Sequence, residues 1–119
     1  MSVTAPTQIR VNRQSRTMEL TWPDGHQHLL GAEYLRVHSP SAEVRGHGGG
    51  EGALVQGKQH VGIIEVEAIV HYAVRLVFYD GHNSGLYTWA YLAELGEQHD
   101  VRWAQYLQRL EKAGISRAL

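Results

Sequence analysis

The sequence predicts an α+β domain: a largely antiparallel β-sheet with short helices placed mainly toward the C-terminus. Apolar and polar residues alternate in several stretches before residue 79, and two Asp-Gly pairs, at 24–25 and 80–81, punctuate them. Only after Thr88 does the apolar spacing lengthen to three and four residues. Strands followed by helices point to antiparallel pairing rather than a βαβ unit. With 119 residues, 43% of them apolar, the chain can build one core, expected over 7–119 behind a loose tail at 1–6.

Ile9 and Val11 mark the first strand, and Asn12 to Ser15 form a polar turn. Met18, Leu20 and Trp22 alternate with Glu19 and Thr21, which sends the three large side chains to a buried face. Pro23-Asp24-Gly25 closes a tight hairpin, and His26 to Leu30 return. Ala32 to Val37 reads as a short helical turn with Leu35 inward. Residues 38 to 52, with Pro40 and five glycines, read as an irregular loop; without GxxxxGK[ST] or GxGxxG, a phosphate cradle is the weaker reading.

Val61 to Val70 is a half-buried strand with Ile64, Val66, Ala68 and Val70 inward and Glu65 and Glu67 outward. Tyr72, Val74, Leu76 and Phe78 continue the two-residue period up to Asp80-Gly81. From an N-cap at Thr88, Trp89, Leu92 and Leu95 predict a helix to Gly96. A second helix is expected from an N-cap at Asp100 to Gly114, with Trp103, Leu107 and Leu110 on its apolar face. The stretches from Leu20 and from Leu76 share Leu, an aromatic residue, Asp-Gly-His, Leu and Tyr-Leu with one insertion, which fits either a duplicated unit or chance among hairpins.

Composition removes several function classes. Eleven Lys and Arg balance twelve Asp and Glu, so no basic surplus is available for nucleic acid or an anionic membrane. The absence of cysteine rules out disulfides, thiolate nucleophiles and cysteine-built metal sites. No apolar run approaches the roughly 20 residues that span a bilayer, and the N-terminus has no signal-like apolar stretch, so a cytoplasmic location is expected.

Three segments carry a family resemblance: TWPDGH at 21–26, YLRVHSPSAEVRGHG at 34–48, and YDGHNSGLYTW at 79–89 with Tyr91-Leu92 after it. Over about Ile9 to Leu95 the chain resembles the DUF971 family, which is similar to the N-terminal domain of gamma-butyrobetaine hydroxylase. In the hydroxylases this domain precedes an iron- and 2-oxoglutarate-dependent catalytic domain, and in a plastid Fe–S carrier it follows a P-loop domain. Neither catalytic partner fits in 119 residues, so the resemblance implies a non-catalytic chain. The hydroxylase version resembles a closed zinc site of three cysteines, spaced C-x-C-x-x-C, and one histidine. The matching positions here are Ser39, Ser41, Val44 and His82, so a remnant of that site is expected without zinc or iron, with Asp80 beside it.

Eight histidines raise a metal alternative in which His38, His47 and His82 converge, with Asp80 completing the set. The competing reading has His82 hydrogen-bonded to Ser39 or Ser41 and the other two histidines solvated. His26 and His28 share a strand face but make only two ligands. Ser39, Ser41 and Ser84 lie in no nucleophile elbow, and Glu65 and Glu67 read as solubilising edge charges. The expectation is an accessory module acting through an unknown protein partner, linked to oxygenase or Fe–S assembly systems, with histidine-based metal binding as the alternative. The sequence does not set an oligomeric state.

Overall fold

The computed structural model describes residues 4–40, 54–69 and 71–117. β1 (Gln8–Asn12), β2 (Thr17–Thr21) and β3 (Gln27–Gly31) form one antiparallel sheet in that order, and the chain runs directly into helix α1 (Ala32–Val37). β4 (Ile63–Ile69), β5 (Ala73–Phe78) and β6 (Leu86–Thr88) form a second sheet in the same manner and lead into α2 (Trp89–Glu97). Helix α3 (His99–Ala113) follows at once.

The two halves repeat in detail. Leu30 pairs with Met18 as Tyr87 pairs with Val74, and Gly31 with Thr17 as Thr88 with Ala73. Both hairpins are three-residue loops closed alike: Gly25 N–H donates to Trp22 O at 2.8 Å and Trp22 N–H to His26 O at 3.0 Å, while Gly81 to Phe78 and Phe78 to His82 each measure 3.0 Å. Gly25 and Gly81 hold φ of 93° and 89°, which a residue with a Cβ rarely adopts, so glycine is required at both places. The helices are tied reciprocally: Tyr34 of α1 donates to Leu95 O of α2 at 2.6 Å, and Tyr91 of α2 donates to His38 O after α1 at 2.5 Å. The similarity between 20–35 and 76–92 is thus a structural repeat of a β-β-β-α unit.

The inner faces of both sheets and helices meet in one core holding Met18, Leu20, Leu30, Leu35, Ile63, Leu76, Phe78, Tyr87, Leu92 and Leu95, each at most 1% exposed. Burial of side chains this size stabilises the fold by about 1.5–3 kcal/mol each before entropy is counted. A smaller cluster joins Val37 to Tyr106 and Leu110 of α3.

Several expected facings change. Ile64 is 37% exposed because a bulge between Ile63 and Glu65 shifts the register and turns Ile63 inward, opposite Phe78. Tyr72 is 52% exposed, since it precedes β5 and lies in the turn before it. Val70 lies outside the described residues. α2 runs through Gly96 to Glu97, where a Cβ on Gly96 would collide with the His28 ring, so this glycine serves close approach rather than termination. Thr88 does cap α2, accepting from Tyr91 N–H at 3.1 Å. α3 begins at His99, so Asp100 falls in its first turn, where a carboxylate meets the positive helix end. On α3 the buried residues are Tyr106 and Leu110, with Trp103 half-buried beside them; Leu107 is 38% exposed because the helix presents Tyr106 to Val37 instead.

Candidate functional site

The second Asp-Gly-His turn is where the chain gathers its buried polar groups. Asp80 Oδ1 accepts from His82 N–H at 3.1 Å, which fixes the turn and frees Oδ2 for cations. Arg36 Nε on α1 reaches Oδ2 at 2.8 Å and Lys58 Nζ at 2.6 Å, with the Arg36 and Asp80 side chains only 12% and 20% exposed. Burial alone would raise the Asp80 pKa, but Lys58, the His82 amide and Arg36 outweigh it and hold the carboxyl down to about 2. Nη1 of Arg36 is buried without a hydrogen-bond partner among the described residues.

His82, 7% exposed, places Nε2 at 2.8 Å from Oγ of Ser39, which is 1% exposed. The Tyr87 phenol donates to Leu35 O at 2.5 Å, so polar contacts tie the end of α1 both to β6 and, through Ser39, to the turn. Gly85 lets the strands close over it: a Cβ there would stand 2.5 Å from Ser39 Oγ and 3.2 Å from Tyr87. His82, Asp80 and Ser39 are therefore brought together as the sequence suggests. Ser41, Val44 and His47 lie outside the described residues.

His38 turns elsewhere. Its Nδ1–H donates to Tyr34 O at 2.9 Å and its ring lies against Tyr34 and Tyr106, so the expectation that it is solvated fails. Among the described residues no three His, Asp or Glu side chains are grouped to hold a metal. Arg36, Lys58 and Tyr87 are site members that the sequence reading missed. A partly buried turn carboxylate favours a cation beside it, but no local spacing names residues 44 and 22 positions away.

At the equivalent first turn, Asp24 Oδ1 accepts from His26 N–H at 3.0 Å and also contacts the His26 ring. Trp22 Nε1–H donates to His28 Nδ1 at 2.9 Å, which forces the His28 proton onto Nε2 and removes that nitrogen as a neutral metal ligand. Burial lowers the pKa of His28 and of His38 below the ordinary 6.5. Each takes up a proton less readily in the fold than in the opened chain, so their contribution is complete above pH 6.5 and declines as pH falls below it. Asp80 adds a second loss as pH falls from 3.8 to about 2. Urea midpoints measured against pH should fall in these two stages; a midpoint constant from pH 7 to 5 would contradict the histidine assignments.

A zinc ion does not fit the residues present. Ser39 presents a neutral hydroxyl, a poor zinc ligand, beside the His82 ring. The other matching positions offer a hydroxyl, Ser41, and an aliphatic side chain, Val44, in place of thiolates.

Two antiparallel three-stranded sheets, each feeding a helix, together with a polar clasp at the second turn, define a small α+β domain with the polar groups of that turn bonded to one another. The chain belongs to the gamma-butyrobetaine hydroxylase-like N-terminal family, whose model matches residues 9–93. A protein solved by NMR in solution is similar at 46% identity and TM-score 0.85, covering 98% of this chain and 91% of that one. A second NMR structure has 42% identity and TM-score 0.84, with 98% and 86% covered. A crystal structure of a DUF971-family protein of unknown function from Acidithiobacillus ferrooxidans ATCC 23270 has 45% identity and TM-score 0.64, with 76% and 91% covered. No curated protein matches the chain. Among the described residues no helix is long and apolar enough to cross a membrane.

Proposed function

We propose that this chain is a non-catalytic accessory module that acts through contacts with another protein. The observation that carries this reading is the Ser39–His82 bond at 2.8 Å: the histidine at the family's metal position is committed to a serine within the chain. Asp80 is likewise committed to Arg36 and Lys58. Groups consumed in this way lock α1 to the β5–β6 turn and present a fixed surface, which is the work of a docking domain. A link to oxygenase or Fe–S assembly systems rests on the family's fused members and is an analogy of fold.

The test uses the full chain with a non-histidine tag, expressed in its native host. A defined protein should co-elute with it through size exclusion, the purified chain should hold far less than one zinc or iron per molecule, and EDTA should leave its melting unchanged. One metal per chain, with melting lowered by EDTA, would replace this reading with histidine-based metal binding. Turnover of a small molecule by the isolated chain would replace it with an enzyme.

A further inference from the structure

The two halves of the repeat fill one equivalent contact in opposite ways. Counted back from Leu30 and Tyr87, His28 on β3 matches Gly85 before β6; counted on from Tyr34 and Tyr91, Ser39 after α1 matches Gly96 on α2. In the second half the helix end supplies the side chain, and a Cβ on Gly85 would stand 2.5 Å from Ser39 Oγ. In the first half the strand supplies it: a Cβ on Gly96 would stand 2.3 Å from His28 Nδ1 and 2.4 Å from its Cγ. The end of α2 thus lies directly on an imidazole where the end of α1 brings a hydroxyl. Of these two groups only the imidazole changes charge near neutral pH.

His28 Nδ1 accepts the Trp22 Nε1–H at 2.9 Å, and Trp22 is 4% exposed. We propose that this contact is a pH-sensitive latch: a proton taken from solvent onto His28 Nδ1 breaks its bond with Trp22 and releases the C-terminal turn of α2 from β3, while the core stays folded. The latch goes beyond the accessory-module reading and does not depend on it. Its cause lies at one atom. A protonated Nδ1 has no lone pair, so two N–H donors point at one another, and the close approach of Gly96 leaves the ring no room to turn within the contact. The ring moves outward, and α2 lifts to let it pass. The charged and titratable groups that face His28 are His26 and Asp24 of the turn, with the His26 ring 5.0 Å away, and Glu97 of α2. Burial first, and then His26, oppose the proton; Glu97 and Asp24, both exposed, favour it and attract the imidazolium once it swings out. The latch is therefore closed above pH 6.5 and opens below it. Leu95 O, one residue before Gly96, holds the Tyr34 phenol at 2.6 Å, and α3 starts two residues after Glu97, so release at Gly96 loosens the corner between α2 and α3.

The test follows the isotope-labelled full chain by NMR from pH 7 to pH 5. The Trp22 indole N–H should shift with the same midpoint as the His28 ring, below 6.5. Over that step the protection of amides 95–98 against exchange should fall at least about ten-fold, while that of β2 and β5 is kept. His28→Asn retains an acceptor near the place of Nδ1 but takes no proton, so its amides at 95–98 should stay protected over the whole range. A His28 ring that stays neutral down to pH 5, or one that titrates while the Trp22 indole stands still, would overturn the latch without recourse to any variant. So would protection lost equally in β2 and β5, which is global unfolding, or a loss that persists in His28→Asn and so belongs to another histidine, such as His38 or His99, against Tyr34.

Discussion

Phe78→Ala should lower stability by about 3–5 kcal/mol, the range for emptying a buried aromatic site. Phe78 is fully buried, pairs with Ile63 across β4 and β5, and its ring lies 6.1 Å from that of His82, so its loss opens a cavity between the core and the polar clasp. A domain of this size holds only about 5–15 kcal/mol in total, so the variant should unfold early in a urea titration while keeping the same slope. A loss below about 1 kcal/mol would mean that β5 can collapse onto the gap, contrary to the fixed register seen here. Trp22, the matching residue of the first half, is 4% exposed and also anchors His28, so Trp22→Ala should disturb a separate hydrogen bond as well.

Asp80→Ala should cost about 2–4 kcal/mol, because one partner of a largely buried ion cluster disappears and the others remain. Arg36 already carries a nitrogen without a hydrogen-bond partner among the described residues, and the substitution strips its Nε as well as Lys58 Nζ and the His82 amide. Asp80→Asn keeps an oxygen for the His82 amide but loses the charge, so the difference between the two variants separates the turn from the ion cluster. Both should lack the share of stability that Asp80 is expected to lose as pH falls from 3.8 to about 2. If Asp80→Ala melts like the native chain, or if Asp80→Asn costs as much as Asp80→Ala, the division of labour between Oδ1 and Oδ2 described here is wrong.

Most of the fold is legible in the chain because the relevant physics is local. Alternation at Met18, Leu20 and Trp22 and at Val74, Leu76 and Phe78 specifies which strand faces are buried, and all six are buried. Asp-Gly at 24–25 and 80–81 specifies two turns that need a left-handed residue, and both glycines adopt it. Thr88 before an apolar spacing of three specifies a capped helix. The misses arise where a long-range partner overrides the local pattern: the bulge that exposes Ile64 is read against β5, and Tyr106 replaces Leu107 because Val37 is what α3 must cover.

The site divides in the same way. His82 beside Asp80, and a serine from the 38–44 segment as partner, follow from the motif and its resemblance. The sequence also determined the missing thiolates, since a position holding Ser or Val cannot supply one whatever the fold. Only the tertiary structure chose Ser39, turned His38 away toward Tyr34 and Tyr106, and brought Arg36 and Lys58 to one carboxylate oxygen. It also laid α3 over α1. Side-chain type and short-range period are properties of the chain, whereas the partner of a buried charge and the cover of a helix face depend on which segments meet in space, and no local spacing records that.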